Sequence, residues 1–186
     1  MTSVRARTRY GWPLIGLHWL TFLLIVVVYA TAELSDVFPK GSAGRSNLRA
    51  GHEMLGLLVL ALVGLRIAVR AFSATPAIVP APPRWQAQLA TAAHLALYGL
   101  MIVLPLVGWL MLSAAGKPVP FFAWELPPLL APSRPLAKVL EDVHEVIASL
   151  GYALIGLHAV AALFHHYVVC DDTLRRMLPG RGNALR

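Results

Sequence analysis

At 186 residues, 58% hydrophobic and only 13% charged, the chain is far more apolar than a soluble domain of its size. That length accommodates about four membrane spans with short loops and leaves no room for a separate soluble domain. The formal net charge of +7 is scattered over the flanks of apolar runs instead of forming one stripe, which argues against nucleic acid as a partner and for membrane lipid.

Taken in chain order, the first apolar run covers 12–31. It follows a basic N-terminus, lacks a small-residue cleavage site and carries His18 and Trp19 in its body, so it reads as a span and not as a signal peptide. The second run, 51–69, opens at His52 and closes on Arg66 and Arg70, four residues apart. A proline-rich stretch, 71–88, has no apolar periodicity and reads as an extended connector. The third run, 90–113, contains His94, Tyr98 one turn later, and Pro105, which is expected to kink it. The segment 113–145 holds Pro118, Pro120, Pro127, Pro128, Pro132 and Pro135 around Phe121, Phe122 and Trp124, which suits a loop folded back on the membrane interface. From Pro135 onward, Leu136, Val139, Leu140 and Val143 have helical spacing, so the fourth helix begins before its apolar run, 147–169. The single cysteine, Cys170, rules out an internal disulfide framework and a cysteine-ligated cluster. The expectation is one domain, 1–186, built as an all-α integral-membrane four-helix bundle.

Charge orients that bundle. With both termini cytoplasmic, the inside segments hold Arg5, Arg7, Arg9, Arg66, Arg70, Arg84, Arg175, Arg176, Arg181 and Arg186 against Asp171 and Asp172. The outside segments hold Lys40, Arg45, Arg49, Lys117, Arg134 and Lys138 against seven acids, so the basic residues favour the inside as the positive-inside rule requires.

His144 and His158 lie fourteen residues apart on the fourth helix. Fourteen steps of about 100° return to within about 40° of the start, so both imidazoles share a face, about 21 Å apart along the axis. Ionisable residues inside a membrane are costly and usually face a partner in the bundle. By depth, His18 can meet only His158, near the inner side, and His52 can meet only His144, near the outer side. Each site draws one ligand from the fourth helix and one from another, which is how a bundle holds two bis-histidine haems. Two imidazoles leave no vacant position on haem iron, so such sites favour one-electron transfer over oxygen chemistry. Two imidazoles are too few for a usual four-ligand zinc site, although Glu53 and Glu145 beside the outer pair keep a different metal open there. Gly56, Gly64, Gly99, Gly108, Gly151 and Gly156 suit close helix packing, or the space a flat macrocycle needs, or both.

The stretches IGLHWLTFLLIVVVYATAE, AGHEMLGLLVLALVGLRIAVR, AHLALYGLMIVLPLVGWLM and HEVIASLGYALIGLHAVAALFHHYVV, with the ending DDTLRRMLPGR, resemble the bacterial cytochrome b561 family over nearly the whole chain. The likeness extends to its superoxide-oxidising members through Val37-Phe38-Pro39 and His165-His166-Tyr167. It implies a four-helix inner-membrane cytochrome with two haem b groups on His18, His52, His144 and His158. It also implies oxidation of superoxide to dioxygen at the periplasmic face, with electrons passed to ubiquinone.

Around that frame, Arg66 and Arg70 are candidates for a haem propionate, and His94 for a propionate or backbone hydrogen bond. His165, one heptad past His158, is the preferred quinone contact. Steering of superoxide calls for positive charge over the outer haem. Arg49, about one turn before His52, is the first candidate, with Lys117, Arg134 and Lys138 beside it. The alternative function is a haem-bearing membrane anchor that conducts electrons for a partner oxidoreductase.

Overall fold

The computed structural model describes residues 9–180. Four long helices, α1 (Trp12–Val37), α2 (Ala43–Ala71), α3 (Arg84–Ala114) and α4 (Arg134–Phe164), make up the body of the molecule. All four are long and apolar enough to cross a membrane. α1 packs along α2, α2 against α3, and α3 along α4. One end of the bundle carries residues 9–11 and 170–180 and is called the terminal end below; the other carries the α3–α4 connection and is called the hairpin end.

α1, α2 and α3 extend past the apolar runs that announced them, and α4 starts well before its run, as the spacing from Pro135 onward indicates. Apolarity marks contact with lipid, whereas a helix stops where its backbone finds a cap. Thus α2 begins at Ser42, whose hydroxyl accepts the Arg45 amide at 3.3 Å, well before the apolar run starts. Pro13 and Pro135 stand in the first turns of α1 and α4, where a missing N–H costs nothing. α3 is unbroken as a helix through Pro105.

The packed interior is small. Val59, Val63 and Met101 form one cluster with Leu24, Ile25 and Val28, and Leu57, Leu112 and Val119 form another. Leu20, Leu23, Leu95, Leu150, Leu157 and Val160 face outward, as lipid-facing residues do. α1 and α4 are bridged by side chains: Tyr29 donates its hydroxyl to the Ala148 carbonyl at 3.0 Å, and Tyr152 donates to Glu33 at 2.7 Å. Tyr29 comes so close that a Cβ on Gly151 would stand 2.2 Å from its oxygen.

The all-α bundle is as expected, and the α3–α4 connection adds one short hairpin to it. Val119–Phe121 (β1) and Trp124–Leu126 (β2) pair antiparallel, with Val119 opposite Leu126. Val119 is buried against Leu57 and Leu112, while Phe122 and Trp124 point outward. Three-residue strands punctuated by Pro120 make too short an alternation to be read as a hairpin.

At the terminal end the chain folds back after α4. The helix loosens into a π turn at His165–Val169, and Cys170 takes a left-handed φ of 59°. Asp172 then accepts the Val79 amide at 2.9 Å, and the buried Arg176 guanidinium donates to the Pro76 carbonyl. Trp19 of α1 reaches the Met177 carbonyl at 2.7 Å. Asp171 is buried and bonded to His165 Nδ1 at 2.6 Å. Burial alone pushes the Asp171 carboxyl up, but hydrogen bonds from His165 and Thr173 outweigh it and hold it below the usual carboxylate range. A depressed carboxylate stabilises the fold above its ordinary pKa of about 4, and that stability is lost as pH falls through the lower folded value. Thermal unfolding in detergent should therefore show a melting temperature that drops on acidification below about pH 4. The drop should be flatter in Asp171→Asn; equal slopes would show that this carboxylate does not anchor the turn.

Candidate cofactor site between the helices

Four histidines meet in two pairs. At the hairpin end His52 of α2 faces His144 of α4, with ring centroids 6.1 Å apart and planes at 72°. At the terminal end His18 of α1 faces His158 of α4 at 6.3 Å and 64°. A metal–imidazole bond is about 2 Å, and a ring centroid lies about 1.1 Å behind its nitrogen, so two imidazoles sharing one iron place their centroids about 6.2 Å apart. Both pairs fit that separation.

Local contacts orient the rings. His52 Nδ1 lies 3.0 Å from the Val28 carbonyl, which can only accept, so this nitrogen carries the proton and Nε2 keeps its lone pair. The His144 ring is accommodated by Gly108, where a Cβ would come within 3.5 Å of its Cε1. A cavity of about 450 Å³ opens between the helices around His52 and His144, lined also by Gly56, Gly108 and Tyr29. Added Cβ atoms at Gly16, Gly56, Gly64, Gly99 and Gly156 would meet nothing within 4 Å. Those glycines border space, whereas Gly151 serves close packing. The hairpin-end pair thus fits a flat macrocycle with an iron between its rings; the terminal-end pair matches it in spacing, and His18 would hold iron through Nε2 once Arg66 leaves its Nδ1.

The terminal-end pair has further neighbours. His94 of α3 stands against His158, centroids 5.6 Å apart, a partner that pairing by depth does not reveal. Arg66 donates from Nη2 to His18 Nδ1 at 3.0 Å and lies 5.5 Å over the Tyr98 ring. Arg70 is drawn away, with its guanidinium 5.3 Å over Tyr10. His165 Nδ1 is occupied by Asp171, so its other nitrogen is the one left for a ligand. The π turn begins at His165, and extrapolation at a uniform 100° per residue from His158 stops there.

The outward cations are mostly engaged. Arg45 binds Asp36 at 2.6 Å and Arg49 approaches the same carboxylate at 3.7 Å. Lys138 holds Glu141 and Asp142. Lys117 and Arg134 are exposed and make no ion pair among the described residues. None of these cations lines the cavity, which instead carries Glu33, Asp36, Glu53 and Glu145. Glu53 and Glu145 are singled out in the sequence by adjacency to histidine; Glu33 and Asp36 arrive from α1, which only packing could reveal.

Comparison with known proteins agrees with this architecture. The family model described as prokaryotic cytochrome b561 matches residues 9–180. The chain is similar to cytochrome b561 homolog 1 of Escherichia coli K12, 38% identical over 173 residues, which covers 93% of this chain and 98% of the relative. It is 36% identical over 171 residues to a Yersinia pestis protein named probable superoxide oxidase CybB, covering 92% and 96% of the two chains. A second Escherichia coli relative, cytochrome b561 homolog 2, is 28% identical over 179 residues, covering 96% and 95%.

Proposed function

This chain belongs to the prokaryotic cytochrome b561 family, a membrane electron-transfer family carrying b-type haem, and on that premise we propose that it holds two haems and oxidises superoxide to reduce a quinone. The observation that carries the two-haem reading is the matched spacing of two histidine pairs, 6.1 and 6.3 Å, at opposite depths. In this reading His52 and His144 hold the outer haem and His18 and His158 the inner one. Both termini are cytoplasmic in a bacterial inner membrane. When bound, bis-imidazole haem supplies a one-electron couple with no open coordination position.

The protein's own residues do the rest. The Val28 carbonyl holds His52 in the tautomer that can bind iron, and the fourth helix spaces the two sites about 21 Å apart. Two superoxide ions each give up one electron and leave as dioxygen at the outer face; a quinone takes the two electrons with two protons and becomes quinol. His165, its Nδ1 fixed by Asp171, presents its other nitrogen as the quinone contact near the cytoplasmic face. The likeness to a relative named probable superoxide oxidase supports the donor.

A second reading, an anchor and electron conduit for a partner oxidoreductase, is favoured by the acid-lined cavity, which does not attract an anion. Stopped-flow mixing of oxidised holoprotein with superoxide separates the two. Superoxide oxidase activity predicts haem reduction without any partner, slowing as salt rises because exposed charges are screened beyond about 8 Å at physiological ionic strength. Lys117→Glu should slow it further with the haem spectra unchanged. Reduction no faster than in a haem-free control removes superoxide as donor and leaves the conduit.

A further inference from the structure

His165 stands at the terminal end with one ring nitrogen fixed and the other open. Its Nδ1 lies 2.6 Å from the Asp171 carboxylate, and its backbone carbonyl accepts the Asp171 amide at 3.1 Å, so the returning chain is tied to this residue twice. The Asp171 side chain is 1% exposed and the His165 side chain 21%. His165 Nε2 makes no hydrogen bond among the described residues, yet it is not a buried atom, so the exposed edge of the ring is the one that carries it. Phe164, Tyr167 and Val168, on the same stretch of chain, are exposed and give that edge apolar surroundings.

Local departures from regular helix build this pair. The helix loosens into the π turn at His165–Val169, a feature that recurs at functional sites, and the left-handed Cys170 sends the chain back. The Thr173 amide also donates to Asp171, at 2.8 Å, so the carboxylate is held from two sides. Other charged and titratable groups of this end are engaged elsewhere. Asp172 takes the Val79 amide and Arg176, Arg176 also lies over Tyr10, Arg70 lies over the same ring, and Arg9 donates to the Gly180 carbonyl. Arg66 and His94 belong to the His18–His158 pair. His166 lies against Tyr167, Cys170 against the Tyr167 carbonyl, and Arg175 is exposed. Asp171 is the one ion-pair partner of His165 among the described residues.

An imidazole at the edge of a membrane gains a proton reluctantly, because low dielectric disfavours the charged form; an adjacent anion opposes that penalty. Its hydrogen bonds keep Asp171 charged through the neutral range, so a proton arriving at this pair resides on the ring. Nδ1–H is committed to Asp171, which leaves the second proton on Nε2, at the open edge. We propose that His165 and Asp171 are the proton-delivering pair of the quinone site, His165 as general acid and Asp171 as the positioning residue that keeps it loaded. The Nε2–H bond breaks as an O–H bond forms on a quinone oxygen. Water at the terminal-end surface restores the proton, and a second transfer completes the quinol. The two electrons come from two superoxide ions, one from each, which leave as dioxygen. The inference rests on the reading of His165 as the quinone contact.

Stopped-flow oxidation of the reduced holoprotein by ubiquinone-1, followed at the haem bands over a range of pH, tests it. The parent rate should be level on the acid side and fall about tenfold per pH unit on the alkaline side, in proportion to the protonated imidazole. Asp171→Asn keeps the shape and loses the charge, so its alkaline limb should move about one unit to lower pH. It should then be about tenfold slower than the parent on that limb and match it on the acid side. Asp171→Glu should return the limb most of the way. His165→Gln can hydrogen-bond but cannot titrate; it should be about a hundredfold slower on the acid side and level with pH, with its haem spectra unchanged. An alkaline limb that persists in His165→Gln overturns the proposal, and so does a limb unmoved in Asp171→Asn. The parent and His165→Gln decide the matter even if Asp171→Asn does not fold. A parent rate that is level with pH overturns the proposal and leaves quinone reduction standing. Haem that ferricyanide oxidises and ubiquinone-1 does not, in the parent, removes the quinone reading itself and this proposal with it.

Discussion

Replacing His52 or His144 with alanine is expected to halve the haem content, from two per chain to one, and replacing His18 or His158 should do the same at the other site. Each pair has its rings about 6 Å apart with one histidine from α4, so removing either ring leaves a single axial nitrogen. The two losses should be separable by absorbance, because the surroundings differ. His144 packs beside Gly108 over a cavity, while His158 lies between His18 and His94. Haem content by the pyridine haemochrome method, with optical spectra of each variant, measures this. His94→Ala should retain both haems; loss of one would make His94, 5.6 Å from His158, the ligand in place of His18.

The second large effect is expected at Gly151. A Cβ there would stand 2.2 Å from the Tyr29 hydroxyl and 3.2 Å from Leu100, so Gly151→Ala must push α1 away from α4 or turn Tyr29 out. Overpacking of this kind typically costs about 1–3 kcal/mol. Turning Tyr29 out also gives up its bond to the Ala148 carbonyl and its tilted contact with the Tyr152 ring at 4.4 Å. Because Tyr29 and Tyr152 line the cavity around His52 and His144, the outer haem should be held less tightly as well. Tyr29→Phe removes the colliding oxygen, so the double variant should be more stable than Gly151→Ala alone, a coupling that thermal unfolding of the four proteins would measure. Additive losses would show that the collision is relieved somewhere else. Gly156→Ala, where a Cβ meets nothing within 4 Å, is the matching control for helix propensity.

Much of this arrangement is legible in the order of the amino acids. Apolar runs mark four spans, because a membrane helix must satisfy its backbone internally and cover about 30 Å with apolar side chains. Fourteen residues between His144 and His158 put both on one face at two depths, and chain direction puts His18 and His52 at the matching levels. The helix ends are less legible. Ser42 caps α2 well outside its apolar run, since capping and hydrophobicity answer to different requirements, whereas the early start of α4 near Pro135 was legible from helical spacing.

What the sequence determined by itself was periodic or local: span number, the face each histidine occupies, and the excess of basic residues at one end. Tertiary structure alone decided which charges meet. Arg66 and Arg70 are one turn apart on α2, yet the packing of α1 gives one to His18 and the other to Tyr10. Glu33 and Asp36 entered the cavity beside His52 and His144 because α1 lies against α2, and the return of the chain after Val169 buried Arg176 against a proline-rich connector 100 residues earlier. Helical periodicity states where a side chain points along its own axis. The field it stands in depends on the rotation and spacing of neighbouring helices, set by the shapes of all the side chains between them at once.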